Sequence, residues 1–177
     1  MVPPVVVALA HEEFIIALLI YALAGFSDGL DGYIAKRYNY VSRLGSILDP
    51  LADKLLLVSS YVVLSWLGLL PVWLLAAVIG RDMLIVVGAA AYHVLIGQYE
   101  LAPTIISKVN TFMQIVLALT LIFSAGIWML PEILLEVLIY VVFVCTVASG
   151  INYAWTWGRR AHQARHLARS GQQEKIK

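Results

Sequence analysis

Apolar residues run along this chain in long blocks, separated by short polar or turn-forming groups, without the strict alternation of a half-buried strand. Val2 to Ala10 is a short first block, closed by His11-Glu12-Glu13. A second runs from Phe14 to about Ser27, and its helical pattern carries on to Lys36; Tyr38 to Arg43 is a polar connection. The third starts near Leu48 and reaches Leu67, where Gly68-Leu69-Leu70-Pro71 turns the chain. The fourth covers Val72 to about Ile96 and leaves through Gly97 to Pro103. The fifth, Ile105 to Phe123, is punctuated by Ser124-Ala125-Gly126 and Pro131, and the sixth covers Ile133 to about Trp157. A helix needs about twenty apolar residues to cross ~30 Å of hydrocarbon. The pattern predicts an all-α, polytopic membrane bundle of six transmembrane helices, with the first truncated at its N-terminus, so that Met1 falls inside a helix.

Composition agrees with that class. The 177 residues are one domain's length, 62% hydrophobic and only 13% charged. After Gly158 the character changes to Arg159-Arg160-Ala161-His162-Gln163-Ala164-Arg165, which divides the chain into a membrane domain, 1–158, and a basic tail, 159–177. Lys36, Arg37, Arg43, Lys54, Lys108 and the tail lie on one side of the expected spans, whereas the opposite turns hold Glu12, Glu13 and Glu132. The positive-inside rule therefore puts Asp28 to Asp53, the Lys108 region and both termini in the cytoplasm. Trp66, Trp73, Trp128, Trp155 and Trp157 fall near span ends, as interfacial belts do. The net charge of +1, with no interleaving of basic and aromatic residues, gives no sign of a nucleic-acid partner. Cys145, the single cysteine, reads as a small apolar residue, and no cleavable signal precedes the first block.

Four aspartates interrupt this apolar chain within a short distance: Asp28, Asp31, Asp49 and Asp53. Carboxylates set among apolar residues are costly unless paired, protonated or bound to a cation. On helices the first two are i,i+3 neighbours and the last two i,i+4 neighbours, so each pair projects from one face. Two such faces brought together would repel unless divalent cations lay between them, and an all-oxygen donor set suits Mg²⁺, Mn²⁺ or Ca²⁺ rather than zinc. Gly32, Ala35 and Gly45 leave room for a ligand to approach the backbone, and Lys36 and Arg37 offer charge to a phosphate. Two further places draw attention. Gly80-Arg81-Asp82 sets a charged pair deep in the fourth block, where Arg81 either lines a substrate cavity or pairs with a carboxylate. Ser107, Lys108, Asn110 and Thr111 open the fifth block, as a helix cap with a snorkelling lysine or as a phosphate or headgroup site. His11, His93, His162 and His166 are scattered, without metal-ligand company.

The spacing Asp28-x2-Asp31-Gly32-x2-Ala35-Lys36-x8-Gly45-x3-Asp49-x3-Asp53 resembles the signature of the CDP-alcohol phosphotransferases, integral membrane enzymes of phospholipid synthesis. It departs at Lys36, where the family usually carries Arg; Lys keeps the charge but loses the forked donor geometry. The resemblance implies a metal-dependent transfer of a substituted phosphate from a CDP-linked donor to an alcohol, with release of CMP. Asp28, Asp31, Asp49 and Asp53 would hold two Mg²⁺ or Mn²⁺ ions, and Asp53 would also act as the base. Asp28, Gly32, Ala35, Lys36 and Gly45 would receive the nucleotide, and Arg81, Ser107 and Lys108 the acceptor or its phosphate. CDP-diacylglycerol is the implied donor. Family members that use glycerol 3-phosphate carry a second Arg seven residues after that of the fourth span, a position held here by Gly88. Gly45 to Lys54, Pro103 to Thr111 and Tyr153 to Arg160 are similar to the CMP-forming cardiolipin synthase branch, so phosphatidylglycerol is the expected acceptor, with glycerol 3-phosphate the alternative. A six-span cation carrier or channel is the competing reading from another class. The expected setting is a bacterial inner membrane, and the family implies a homodimer.

Overall fold

A computed structural model describes the backbone of residues 2–38, 45–96 and 105–174, and the side chains of residues 2–25, 27, 53–88 and 105–155. It is helical throughout: α1 (Val2–Ala10), α2 (Phe14–Tyr38), α3 (Gly45–Trp66), α4 (Val72–Ile96), α5 (Ile105–Gly126) and α6 (Glu132–Glu174). Except at the end of α6, which runs past Trp157 to Glu174, these bounds follow the apolar blocks closely. The expected polar connection after Tyr38 and the exit loop from Gly97 to Pro103 lie outside the described residues.

Local chemistry sets the helix ends. At the end of α1 the Glu13 N–H donates to the Ala8 carbonyl (2.8 Å) and the Glu12 N–H to the Leu9 carbonyl (3.0 Å), with Glu12 itself at φ 59°. These are the paired bonds of a Schellman turn, made here with a non-glycine residue in the left-handed region. The same pattern ends α3. Gly68, at φ 76°, donates to Ser65 (3.1 Å) and Leu69 to Leu64 (3.0 Å), and glycine removes the steric penalty of that conformation. Pro71 then starts α4, its carbonyl accepting from Leu74 (3.0 Å). Glu132 supplies a negative charge to the first turn of α6, where the helix dipole favours it.

The helices form a bundle in which α1 packs on α2 and α3, α2 on α5, α5 on α6 and α6 on α4, while α3 meets α4 and α5. Its centre holds Val5, Leu9, Tyr61, Leu64, Leu74, Leu117, Ile122 and Val142, each with no exposed surface. The outside is equally apolar. Ile15, Leu19 and Leu23 of α2, and Val137, Tyr140, Val144 and Ile151 of α6, are all more than half exposed. A soluble bundle puts charge on that face, so this exterior is built for lipid. Among the described residues, Ile105–Gly126 and Glu132–Trp155 are long and apolar enough to cross a membrane, and Phe14–Gly25 is a shorter apolar helix. Beyond Trp155 the α6 backbone stays helical to Glu174, so the change of character at Gly158 is no break in secondary structure.

Lipid surrounds supply little hydrophobic drive between helices, so close packing has to hold them. Gly126 illustrates this. A Cβ added there would lie 2.5 Å from the Phe14 Cβ and 3.4 Å from backbone atoms of Phe14 and Ile15. Gly126→Ala therefore has to push α5 away from α2, and we expect it to lower stability by about 1–3 kcal/mol. A Cβ added at Gly80, on α4, would meet nothing within 4 Å. Gly80→Ala is expected to be neutral or to gain up to about 1 kcal/mol from helix propensity. Thermal unfolding of the two variants in detergent micelles checks both, and equal melting temperatures would contradict the close-packing account.

Candidate functional site

The aspartates divide between two helices as their spacing predicts: Asp28 and Asp31 on α2, Asp49 and Asp53 on α3. Gly32, Ala35 and Lys36 belong to α2, and Gly45 is the first residue of α3. The side chains of Asp28, Asp31, Lys36 and Asp49 lie outside the described set; that of Asp53 lies within it and is exposed. Asp53 stands on the wall of a cavity of about 270 Å³, completed by Tyr21, Ala24 and Gly25 of α2, Leu56 and Leu57 of α3, and Ile115 and Leu119 of α5. Residues of α2 and α3 thus line one cavity beside Asp53, and Asp28 follows Gly25 by one helical turn. Apart from Asp53 this wall is almost wholly apolar. Beside it a second cavity of about 420 Å³ shares Ala22 and Leu119 and continues along the α2–α5 seam past Leu18 and Phe123 to Leu130. Small residues on α2 keep the seam open: a Cβ added at Gly25 would meet nothing within 4 Å.

A polar cluster stands at the level of Asp53 on α3. Arg81 of α4 is buried, its side chain 3% exposed. Its Nη1 donates to the Asp82 carboxylate (2.6 Å), its Nε to the Ser149 hydroxyl of α6 (3.1 Å), and its Nη2 to Ser149 (2.8 Å) and to Ser107 of α5. The Tyr153 ring lies 5.9 Å from the guanidinium carbon, within cation–π range. Of the two roles open to Arg81 in the sequence, pairing with a carboxylate is the one seen here, and that partner is its own neighbour. The oxygen of Asp82 that binds Arg81 also accepts from the Lys54 ammonium of α3 (3.0 Å). Lys108 is exposed one residue beyond Ser107.

Below this cluster the α5–α6 seam stays polar. Thr146 donates to the Asn110 side-chain carbonyl (3.0 Å), Gln114 to Thr146 (3.4 Å), and the Tyr61 hydroxyl to the Gln114 backbone carbonyl (2.9 Å). Asn110, in a stretch open in the sequence to a helix cap or a headgroup site, is fully buried between helices, and its Nδ2 lacks a partner among the described residues. Lys54, Asp82, Ser149, Gln114 and Thr146 had no place in the site as read from the sequence. Only Asp82, beside Arg81 in an apolar run, carried a visible signal; the serines and threonine look like ordinary small residues until the helices pack. Among the described residues no three His, Cys, Asp or Glu side chains gather as a metal site.

Helices, apolar exterior and the divided aspartate motif together define a class. The family profile of the CDP-alcohol phosphatidyltransferases matches residues 1–155, and the chain belongs to that family. Among its curated relatives, the human cardiolipin synthase (CMP-forming) is 37% identical over 171 residues, covering 86% of this chain and 56% of the human protein. The Streptomyces coelicolor cardiolipin synthase (CMP-forming) is 46% identical over 79 residues, 44% of this chain and 37% of that protein. The CDP-diacylglycerol–glycerol-3-phosphate 3-phosphatidyltransferase of Bacillus subtilis is 29% identical over 137 residues, 76% of this chain and 69% of that protein. The chain thus spans little more than half the length of its human relative.

Proposed function

We propose that this chain transfers a phosphatidyl group from CDP-diacylglycerol to a hydroxyl of phosphatidylglycerol, giving cardiolipin and CMP. The observation that carries the reading is the family's aspartate motif, divided between two helices that both line an apolar cavity with a carboxylate on its wall. A lipid-linked donor fits such a place: its acyl chains need an apolar seam open to the membrane, and its pyrophosphate needs the charged end. Six transmembrane helices over 1–158, a cytoplasmic basic tail over 159–177 and a cytoplasmic active site complete the proposal. Phosphatidylglycerol is favoured over glycerol 3-phosphate by Gly88, which leaves no second arginine for a phosphomonoester, and by the higher identity to cardiolipin synthases.

Asp28, Asp31, Asp49 and Asp53 would hold two Mg²⁺ or Mn²⁺ ions, and their all-oxygen donor set fits hard cations. Bound there, such ions would supply positive charge to the pyrophosphate. Asp53 accepts the proton of the acceptor hydroxyl as its oxygen bonds to the phosphatidyl phosphorus. The bond from that phosphorus to the bridging oxygen breaks, and CMP leaves with the electron pair. Gly32, Ala35 and Gly45 give the nucleotide access to backbone, and Lys36 balances phosphate charge. Ser107 and Lys108 stand at the start of α5 for the acceptor headgroup, with Arg81 holding Ser107 in place.

The test is CMP release by the purified chain in detergent–lipid micelles with CDP-diacylglycerol and Mg²⁺, supplied in parallel with phosphatidylglycerol and with glycerol 3-phosphate. Release that requires phosphatidylglycerol is expected. Release only with glycerol 3-phosphate would replace the acceptor. No release with either, together with Mg²⁺ uptake by proteoliposomes, would favour a cation carrier instead.

A further inference from the structure

We propose that Lys54 and Asp82 are positioning residues: their ion pair pins the Asp53 end of α3 to α4 and thereby sets the cation affinity of the aspartate site. The inference rests on the proposed metal-dependent reading. Helices α3 and α4 form an antiparallel hairpin joined by the tight turn at Gly68–Pro71. That turn fixes one end of the pair. Lys54 lies thirteen residues before Leu67, roughly 20 Å along the helix from the turn, and its ammonium reaches Asp82 at 3.0 Å. Asp53, on the cavity wall, is the residue immediately before it. The anchor on the α4 side is firm. The Asp82 oxygen that receives Lys54 is also held by Arg81 at 2.6 Å, and Arg81 is bonded to Ser149 on α6 and to Ser107 on α5. One carboxylate oxygen therefore joins α3 to three other helices at the level of the site. Partial burial of the pair, with the Lys54 side chain 35% and the Asp82 side chain 15% exposed, screens it less than a surface contact. Four carboxylates divided between α2 and α3 bind a cation only while the two helices keep their separation and register; α2 packs on α5, which Arg81 holds through Ser107, so the tie at Lys54 and Asp82 sets α3 against the same frame that carries α2.

The test is direct titration of Mn²⁺ into the detergent-purified full chain, read by electron paramagnetic resonance without substrate, on Lys54→Met, Lys54→Arg, Asp82→Asn and the Lys54→Met/Asp82→Asn double variant. Lys54→Met is expected to weaken Mn²⁺ binding about tenfold, the lower end of what partners outside a coordination sphere contribute. The double variant should bind no worse than either single one, because both remove the same tie. Lys54→Arg keeps the pair and should stay near wild type. Should Asp82→Asn fail to fold, because Arg81 loses its carboxylate as well, Lys54→Met still decides the matter. Wild-type Mn²⁺ affinity in Lys54→Met, or equal weakening in Lys54→Arg and Lys54→Met, overturns the inference while leaving the proposed reaction standing. An Asp49→Ala control that binds Mn²⁺ as well as wild type removes the aspartate reading itself, and this inference with it.

Discussion

Asp53→Asn is expected to lower CMP release by about 10²–10⁴-fold, the range for loss of a positioned acid–base group. The amide has the same shape but takes up no proton and is a weaker partner for a hard cation. Asn keeps the size and hydrogen-bonding capacity of the side chain at this exposed position on the cavity wall, so the fall in turnover should far exceed any change in stability. The expected signature is a large fall in kcat with the fold retained. Near-wild-type turnover by Asp53→Asn would remove Asp53 from the role of base. Loss of folding would show that the carboxylate holds the helices together rather than serving chemistry.

The second large effect falls on stability. Arg81→Ala removes the donor from Ser149 and Ser107 and leaves Asp82 with Lys54 alone. Breaking a buried pair in this way costs about 3–5 kcal/mol. Arg81→Lys should recover only part of the loss: an ammonium keeps the charge but has no planar fork to reach two helices and a carboxylate together. Chemical or thermal unfolding in micelles should therefore rank wild type above Arg81→Lys, and Arg81→Lys above Arg81→Ala. Inactive Arg81→Ala with wild-type unfolding would give the arginine a direct role toward substrate instead.

Much of this architecture was legible in the chain because the signals are local. Gly68 and Pro71 mark a turn, the glutamates close or open helices, and apolar blocks of membrane length leave few other folds. The two aspartate pairs declare their helices by spacing alone. What escaped notice depends on contacts between distant positions. Arg81 and Ser149 are 68 residues apart, and nothing about a serine among valines and alanines foretells that a guanidinium will land on it. Asn110 is a related case: polar residues at the start of an apolar block look like a surface, yet here one face of α5 turns inward against Thr146. Polarity rises abruptly after Gly158, but polarity does not decide helicity. The tail's alanines, arginines and glutamines are good helix formers, and α6 simply continues.

That continuity gives the basic segment a fixed phase. Glu132 to Glu174 is one helix of 43 residues, so its far end takes both distance and azimuth from the apolar stretch that ends at Trp155. Inserting one residue near Gly158 would carry everything beyond it about 1.5 Å outward and turn it by about 100°. A flexible linker would absorb such a change silently; a rotating shaft cannot.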